Sequence, residues 1–431
     1  MKKIIALLLA VLMVLSMVAC ASKTTDDTPA DTTPADTTPA DTTEDTEKTD
    51  EPADTTTDAE PVETDGEYAV AMITDYGDIT DQSFNQTTYE ACKAFCEANG
   101  ITFNYFKPAG DNTADRVAMI EKAVDEGYNV IVMPGYAFGG AIVEAAPEYK
   151  DVKFVALDVG KGDLLEAGVA AAGETYDYNP DNWNLEDYVD MSNVYCAIYQ
   201  EELCGYMAGY AAVKLGYEKL GFLGGMAVPA VVRYGYGFVQ GVDAAAAAKG
   251  VEGVEVNYIY GGQFNGDGDI TAVMDTWYSN GTQLVFACGG GIFTSAAEAA
   301  QKVNGKVIGV DTDQSAVIDG GYGEGMTVTS AMKGLAPTTI DTLTDVIVNG
   351  NWANYAGKIE TLGLVSADDP SANYVQLPLE TTQWADGKFT VEDYTALVAD
   401  MFNGKVKVSN DTTVEPTVSN IAVNYLGNIK G

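Results

Sequence analysis

Residues 67–106, "EYAVAMITDYGDITDQSFNQTTYEACKAFCEANGITFNYF", carry the alternation that decides the fold. "YAVAMIT" (68–74) is a short apolar run of the kind that forms a strand covered on both faces. A helical pattern follows over 82–99, and "ITFNYF" (101–106) reads as a second strand. Between the first strand and the helix lies "DITDQSFNQ" (78–86), which sets a large ring, Phe84, beside an amide, Asn85, on the first helical turn. A helix cap needs neither, because Asp81 or Ser83 supplies one. The pair therefore poses a question about what is read at this mouth.

The rhythm continues along the chain. A helix is expected over 113–126, a strand at "NVIVMP" (129–134), a helix over 138–148 and a strand at "VKFVALD" (152–158). An irregular acidic loop occupies 171–192, before the strand "NVYCAIY" (193–199) and a long helix to Lys214. The alternation then restarts with "KLGFLGG" (219–225), a helix over 230–249, "VEVNYIY" (254–260) and a helix over 268–280. "QLVFACGG" (283–290), a helix over 292–303, "KVIGVD" (306–311), "MTVTSAM" (326–332) and a helix over 334–348 complete it. Short apolar strands separated by helices build parallel sheets with right-handed crossovers. Two such runs give an α/β protein of two doubly wound, Rossmann-like lobes joined by a hinge. Lobe 1 is expected over 67–198 and lobe 2 over 199–335, with residues 336–431 returning to lobe 1 or packing on it.

Ahead of the lobes, "MKKIIALLLAVLMVLSMVAC" (1–20) opens on two lysines and runs apolar to Ala19. The run is shorter than the ~20 residues that cross a bilayer and reads as a signal peptide. Met-Val-Ala before Cys20 is close to the pattern that precedes a lipidated cysteine, with Met17 in place of the usual leucine. The expectation is an acylated Cys20 and a protein tethered to the cell membrane on its extracytoplasmic face. Residues 21–66, with the repeat "DTTPADTTPADTT" (31–43), hold almost no large apolar side chain and read as a disordered stalk.

Charge and composition narrow the function. Among 431 residues, 64 are acidic and 23 basic, a net charge of −41 that excludes nucleic acid and disfavours anionic ligands. There is no histidine, which closes Ser-His-Asp and Cys-His catalysis and every histidine-ligated metal site. An enzyme is not expected, nor a cofactor, and the carboxylates fall in no metal-loop spacing. Of the six cysteines, Cys92, Cys96, Cys196, Cys204 and Cys288 read as small buried hydrophobes, with a Cys196–Cys204 disulfide open but not indicated.

In open parallel sheets the ligand lies beyond the carboxyl ends of the strands, and two lobes turn those ends toward one cleft. The residues just past the strands are Asp75, Phe84, Asn85, Asp158, Gly289, Gly290, Gly291, Asp311, Asp313 and Lys333. Ionised carboxylates accept hydrogen bonds only, so they suit a neutral ligand rich in N–H and O–H groups. Phe84 can stack on a flat base, and Asn85 can both donate to and accept from a heterocycle edge. Each member also has a plain structural reading, as a cap, a staple or a tight turn. Their convergence carries the argument.

Several stretches resemble the basic membrane protein family, whose best understood members are purine-nucleoside-binding lipoproteins of ABC importers. They are "DITDQSFNQTTYEA", "YQEELCGYMAGYAA", "LGFLGGMAVPAVVRYGYGFVQG", "YGGQFNGDGD", "VFACGGGIFTSAAEAA" and "VIGVDTDQS", in family order, within roughly 67–335. The resemblance implies a type I periplasmic-binding-protein fold that closes on its ligand, with an ABC permease and its ATPase as partners. It assigns Phe84 to stacking on the base and Asn85, Asp75 and Asp158 to the base edge. Asp311, Lys333, Gly289 and Gly290 fall to the ribose. Two features depart from the family: "CGGGI" (288–292) stands for the common A-G-G-T-G, and the 171–192 loop is longer than usual. A second stacking ring is sought at Phe264 or Phe293. The alternatives are a sugar or other neutral polyol as ligand, or a surface ligand sensor.

Overall fold

The computed structural model describes residues 68–430. The signal peptide, Cys20, the 21–66 stalk and the fold start at Glu67 lie outside the described residues. The first half contains β1 (Ala69–Ile73), α1 (Phe84–Asn99), β2 (Thr102–Phe106), α2 (Thr113–Asp125), β3 (Val130–Pro134), α3 (Gly139–Ala145), β4 (Lys153–Leu157), α4 (Lys161–Ala171) and β5 (Val194–Tyr199). Next come α5 (Glu201–Leu215), β6 (Lys219–Gly224), α6 (Pro229–Lys249), β7 (Val254–Tyr260), α7 (Gly268–Ser279), β8 (Leu284–Cys288), α8 (Phe293–Gln301), β9 (Lys306–Asp311), α9 (Ser315–Tyr322) and β10 (Thr327–Lys333). The chain ends with α10 (Leu335–Leu343), β11 (Lys358–Leu362), β12 (Val375–Gln376), α11 (Val391–Phe402) and β13 (Ile421–Asn428).

These strands make two sheets, ordered β11-β5-β4-β3-β1-β2 and β12-β10-β9-β8-β6-β7-β13. All pairs are parallel except β12 with β10. Every residue of β1, β3 and β8 is buried, as strands with helices on both faces must be. The order of each sheet reverses once, beside β1 and β3 in the first and beside β6 and β8 in the second. Such reversals open crevices at the carboxyl ends. Asp75 and Gly135 lie at the first crevice, and Gly225 and Gly289 at the second.

The return of the chain corrects one expectation. Only β11 joins the first sheet, beside β5, while α10 packs on α1. β12 and β13 instead extend the second sheet, and α11 packs on α5, where the Tyr394 hydroxyl meets the Met207 sulfur. Residues 375–428 thus belong to lobe 2. The reason is visible in β13, whose Ile421, Val423 and Tyr425 turn inward while Tyr425 packs 5.1 Å from Tyr258. The chain therefore passes between the sheets three times, after β5, after β10 and after β11. All five described cysteines are free and buried, so the open Cys196–Cys204 disulfide does not form.

Helices α5 and α6 approach more closely than ordinary side chains allow. A Cβ on Gly205 or Gly209 would stand 2.2 Å from the carbonyl oxygens of Tyr234 and Phe238. A Cβ on Gly237 or Gly241 would stand 2.1 Å from those of Glu202 and Tyr206. Four glycines at i, i+4 spacing on both helices thus set backbone against backbone. This fixes where the amino-terminal end of α5 projects. Gly237→Ala should lower stability by roughly 3 kcal/mol, because the obstruction is backbone and the helices must part. A thermal melt of the variant checks this, and an unshifted midpoint would contradict the packing.

Candidate ligand cleft

Lobe 1 supplies the turn after β1. Asp75 Oδ1 accepts from the backbone N–H groups of Tyr76 and Gly77, both at 2.7 Å, and from Asn85 Nδ2 at 3.1 Å. Arg116 Nε donates to the Asp75 carbonyl at 2.9 Å, bracing the turn from behind. Asp81 is the effective cap of α1, since it accepts from the N–H groups of Ser83, Asn85 and Gln86. The Asn85 amide is buried and spends both donors on Asp75 and Asp81, so it works first as a strut. Ser83, freed from capping, donates its hydroxyl across the cleft to Asp311 Oδ2 at 2.6 Å.

Lobe 2 answers from β8, β9 and β10. Asp311 ends β9 and also accepts from the Tyr234 hydroxyl at 3.3 Å. The Gln314 amide donates to the Gln82 carbonyl of lobe 1 at 3.0 Å and reaches the Gly290 carbonyl at 3.4 Å. Gly289 and Gly290 hold φ values of 150° and 48°, conformations that disfavour a side chain. A Cβ on Gly225 or Gly289 would lie 2.3 Å or 2.8 Å from Phe264 Cδ1, so the Phe264 ring rests on a glycine floor. Phe293 is buried in the second-lobe core and is removed as a cleft ring. Asp313 caps locally, accepting from the Ser315 N–H and the Thr381 hydroxyl, and leaves the candidate set.

Lys333, the last residue of β10, ties the lobes together. Its ammonium pairs with Asp158 Oδ2 of lobe 1 and lies 3.5 Å from both Glu201 Oε1 and Asp311 Oδ1. It also lies 4.6 Å from the centre of the Phe84 ring, with Tyr199 and Tyr234 at 5.6 and 5.7 Å. Aromatic faces attract a cation, the more so when water is excluded. Of the expected residues, Phe84, Asp158, Asp311 and Lys333 form one cluster. Gly290 is tied through Gln314 to the Gln82 carbonyl of lobe 1, and Asp75 and Asn85 are paired in the turn after β1.

Sequence reasoning missed Glu201, Arg233, Tyr199, Tyr234, Ser83 and Gln314. Glu201 is fully buried, and its Oε2 accepts from Arg233 Nε at 2.6 Å. It stands directly after β5, so the rule used for the other strands points to it. Backbone strain concentrates here as well. Gln82, Asp158 and Asp311 hold φ of 58°, 62° and 65°, left-handed conformations that cost a side-chain-bearing residue about 1–2 kcal/mol each.

Burial acts against the charges of Lys333 and Asp158. It pulls the Lys333 ammonium down, but Asp158, Asp311 and Glu201 together outweigh it and hold the lysine well above its usual range. Burial pushes the Asp158 carboxyl up to about 7, against the pull of Lys333 and with the help of Glu201. Sharing of one ammonium by several carboxylates holds the lysine up, whereas at Asp158 burial is the larger cause and Glu201 the lesser. Burial also lifts Glu202 to about 7, and its Oε2 has no hydrogen-bond partner. A surface hollow between α7 and α8, lined by Asp267, Thr271, Asp275 and Glu298, shares no residue with the cluster.

A buried, two-lobed cleft with acceptors on both walls and an aromatic face defines a small-molecule-binding protein of the type I periplasmic class. Residues 68–367 match the Bmp family, described as ABC transporter substrate-binding protein PnrA-like, and the chain belongs to that family. It is similar to an ABC transporter nucleoside-binding protein of Lactococcus lactis, with 26 % identity over 57 % of this chain and 64 % of that one. That is slightly under two thirds of the relative's length. A Listeria monocytogenes CD4+ T-cell-stimulating antigen is 26 % identical over 62 % of this chain and 70 % of its own. Among solved structures, an ABC transporter solute-binding protein of Conexibacter woesei is similar, at 22 % identity with a TM-score of 0.57. The match covers 80 % of this chain and 99 % of that one. One from Aeropyrum pernix has a TM-score of 0.56 at 21 % identity, over 80 % of this chain and 88 % of its own. These likenesses show the fold. The family is one of substrate-binding proteins, not enzymes.

A folded-state carboxyl raised above its unfolded value binds its proton longer in the native chain. Stability from Glu202 is therefore present at low pH and is lost as pH rises from about 4.5 through 7. Glu202→Gln should match the wild type near pH 4.5 and exceed it by about 3 kcal/mol at pH 8. Urea denaturation at the two pH values checks it, and a gap that does not grow with pH would contradict the burial argument.

Proposed function

We propose that this chain is the extracytoplasmic substrate-binding lipoprotein of an ABC importer. It captures a nucleoside, with a purine base, between its lobes and delivers it to a membrane permease driven by its ATPase. The supporting observation is the Lys333 cluster, where acceptors from both lobes converge beside the Phe84 ring. In this reading Phe84 stacks on the base, and Asp75, Asp158 and Asn85 meet its edge, Asn85 through its carbonyl oxygen. Asp311, Lys333, Gly289 and Gly290 hold the ribose. Phe264 on its glycine floor is the second ring. Cys20 carries the acyl anchor at the cell membrane. The net negative cleft suits an uncharged guest and repels phosphate. The step is capture and closure, with no bond made or broken.

Phe84→Ala should weaken guanosine or adenosine binding tenfold to a hundredfold, roughly the scale of one base–aromatic stack. Isothermal titration with those nucleosides and a panel of neutral sugars checks it. An unchanged affinity in a folded variant overturns the Phe84 assignment, and preferential sugar binding overturns the nucleoside reading.

A further inference from the structure

Glu201 and Arg233 belong to no ligand role given above, yet Glu201 is fully buried and Arg233 stands directly behind it. Glu201 Oε2 is anchored by Arg233 Nε at 2.6 Å, so Oε1 is left to face Lys333 at 3.5 Å, and Oε1 has no hydrogen-bond partner of its own. The anchor cannot drift. Glu201 opens α5 and Arg233 lies in the second turn of α6, and the four interlocking glycines fix these helices backbone to backbone. An ammonium carries three N–H groups and here meets three carboxylates, of which Asp158 is in direct contact. A separation of 3.5 Å is longer than a full N–H···O hydrogen bond, so Glu201 and Asp311 attract Lys333 without consuming its donors.

We propose that Glu201, held by Arg233, is a positioning residue that orients the Lys333 ammonium so that the donors left free by its contact with Asp158 face a ligand hydroxyl. Without Glu201 the ammonium keeps its contact with Asp158 but its remaining donors lose their orientation, and the hydroxyl loses its donor. The base contacts at Phe84 are untouched. The inference rests on the nucleoside reading above and names how that cleft selects for a sugar hydroxyl.

The test measures affinity for guanosine and adenosine, each against its 2′,3′-dideoxy analogue, in the wild type and in Glu201→Gln. Because Glu201→Gln strands a buried arginine, the double variant Glu201→Gln/Arg233→Gln is measured beside it, with thermal melts of all three proteins. The expected result is a roughly tenfold loss for the ribonucleosides, the size of one charge-assisted hydrogen bond, with the dideoxy affinities unchanged in the double variant. Equal losses for both ligand forms, as a purely structural role would give, overturn the assignment. So does an unchanged ribonucleoside affinity in the folded double variant. A wild type that binds neither ligand form overturns the nucleoside reading and this assignment with it.

Discussion

The ammonium of Lys333 stands where three chain segments from two lobes converge, and the arrangement of the cleft follows from keeping it there. At 3.5 Å and an effective dielectric of about 20, each carboxylate contributes roughly 5 kcal/mol of gross attraction. Removing each ion from water costs several kcal/mol, so the net contribution to folding is small. A cluster of this kind adds little stability, and it demands exact placement of every member. The left-handed backbone at Gln82, Asp158 and Asp311 adds to that demand, since each turns a strand end or loop so that its group faces the opposite lobe. Strain held at the seam between lobes, with few such residues elsewhere, is the expected signature of a functional cleft.

The supports of the cluster reach well behind it. The chain has two arginines, Arg116 and Arg233, and both brace cleft walls from helices rather than lining the surface. Arg116 fixes the Asp75 carbonyl, and Arg233 fixes Glu201. Guanidinium suits this work because it stays charged when buried and donates in a fixed fork. The glycine contacts between α5 and α6 then determine how far Glu201 projects. Packing in the second lobe is thereby coupled to polar geometry at the seam.

The strands were legible because buried parallel strands are continuous apolar runs, and β1, β3, β4 and β8 match their sequence readings within a residue or two. The helix at Lys161–Ala171 was not, because "KGDLLEAGVAA" is small and apolar on most sides and shows little facing pattern. "SAVIDGGY" hid α9 behind two glycines in its last turn. β13 gave no sign of its sheet, since pairing with β7 is a long-range choice made 167 residues away, as the Asn257–Asn424 side-chain contact records. In the cleft, the strand-end rule located Asp158, Asp311 and Lys333. Glu201 escaped because an acid in a first helical turn already has a sufficient explanation in the helix dipole. Ser83 escaped for a similar reason, since a serine before a helix reads as its cap, whereas Asp81 does that work.

The distribution of charge also constrains what the cleft can hold. Lys333 and Arg233 face Asp158, Asp311, Glu201 and Glu202, so the buried groups sum to an excess of negative charge when all are ionised. An incoming phosphate would meet two cations already engaged and several acceptors with nothing to donate. A ligand bearing hydroxyl or amino protons meets the reverse, since Asp158 Oδ1 is a buried acceptor without a hydrogen-bond partner. Satisfying such atoms recovers a desolvation cost that the folded chain already bears, so the gain on binding is larger than for the same contact at a wet surface. On the proposed reading, selectivity for neutral, donor-rich guests follows from electrostatics before any contact with a particular ring is considered, and the aromatic face of Phe84 acts within that set.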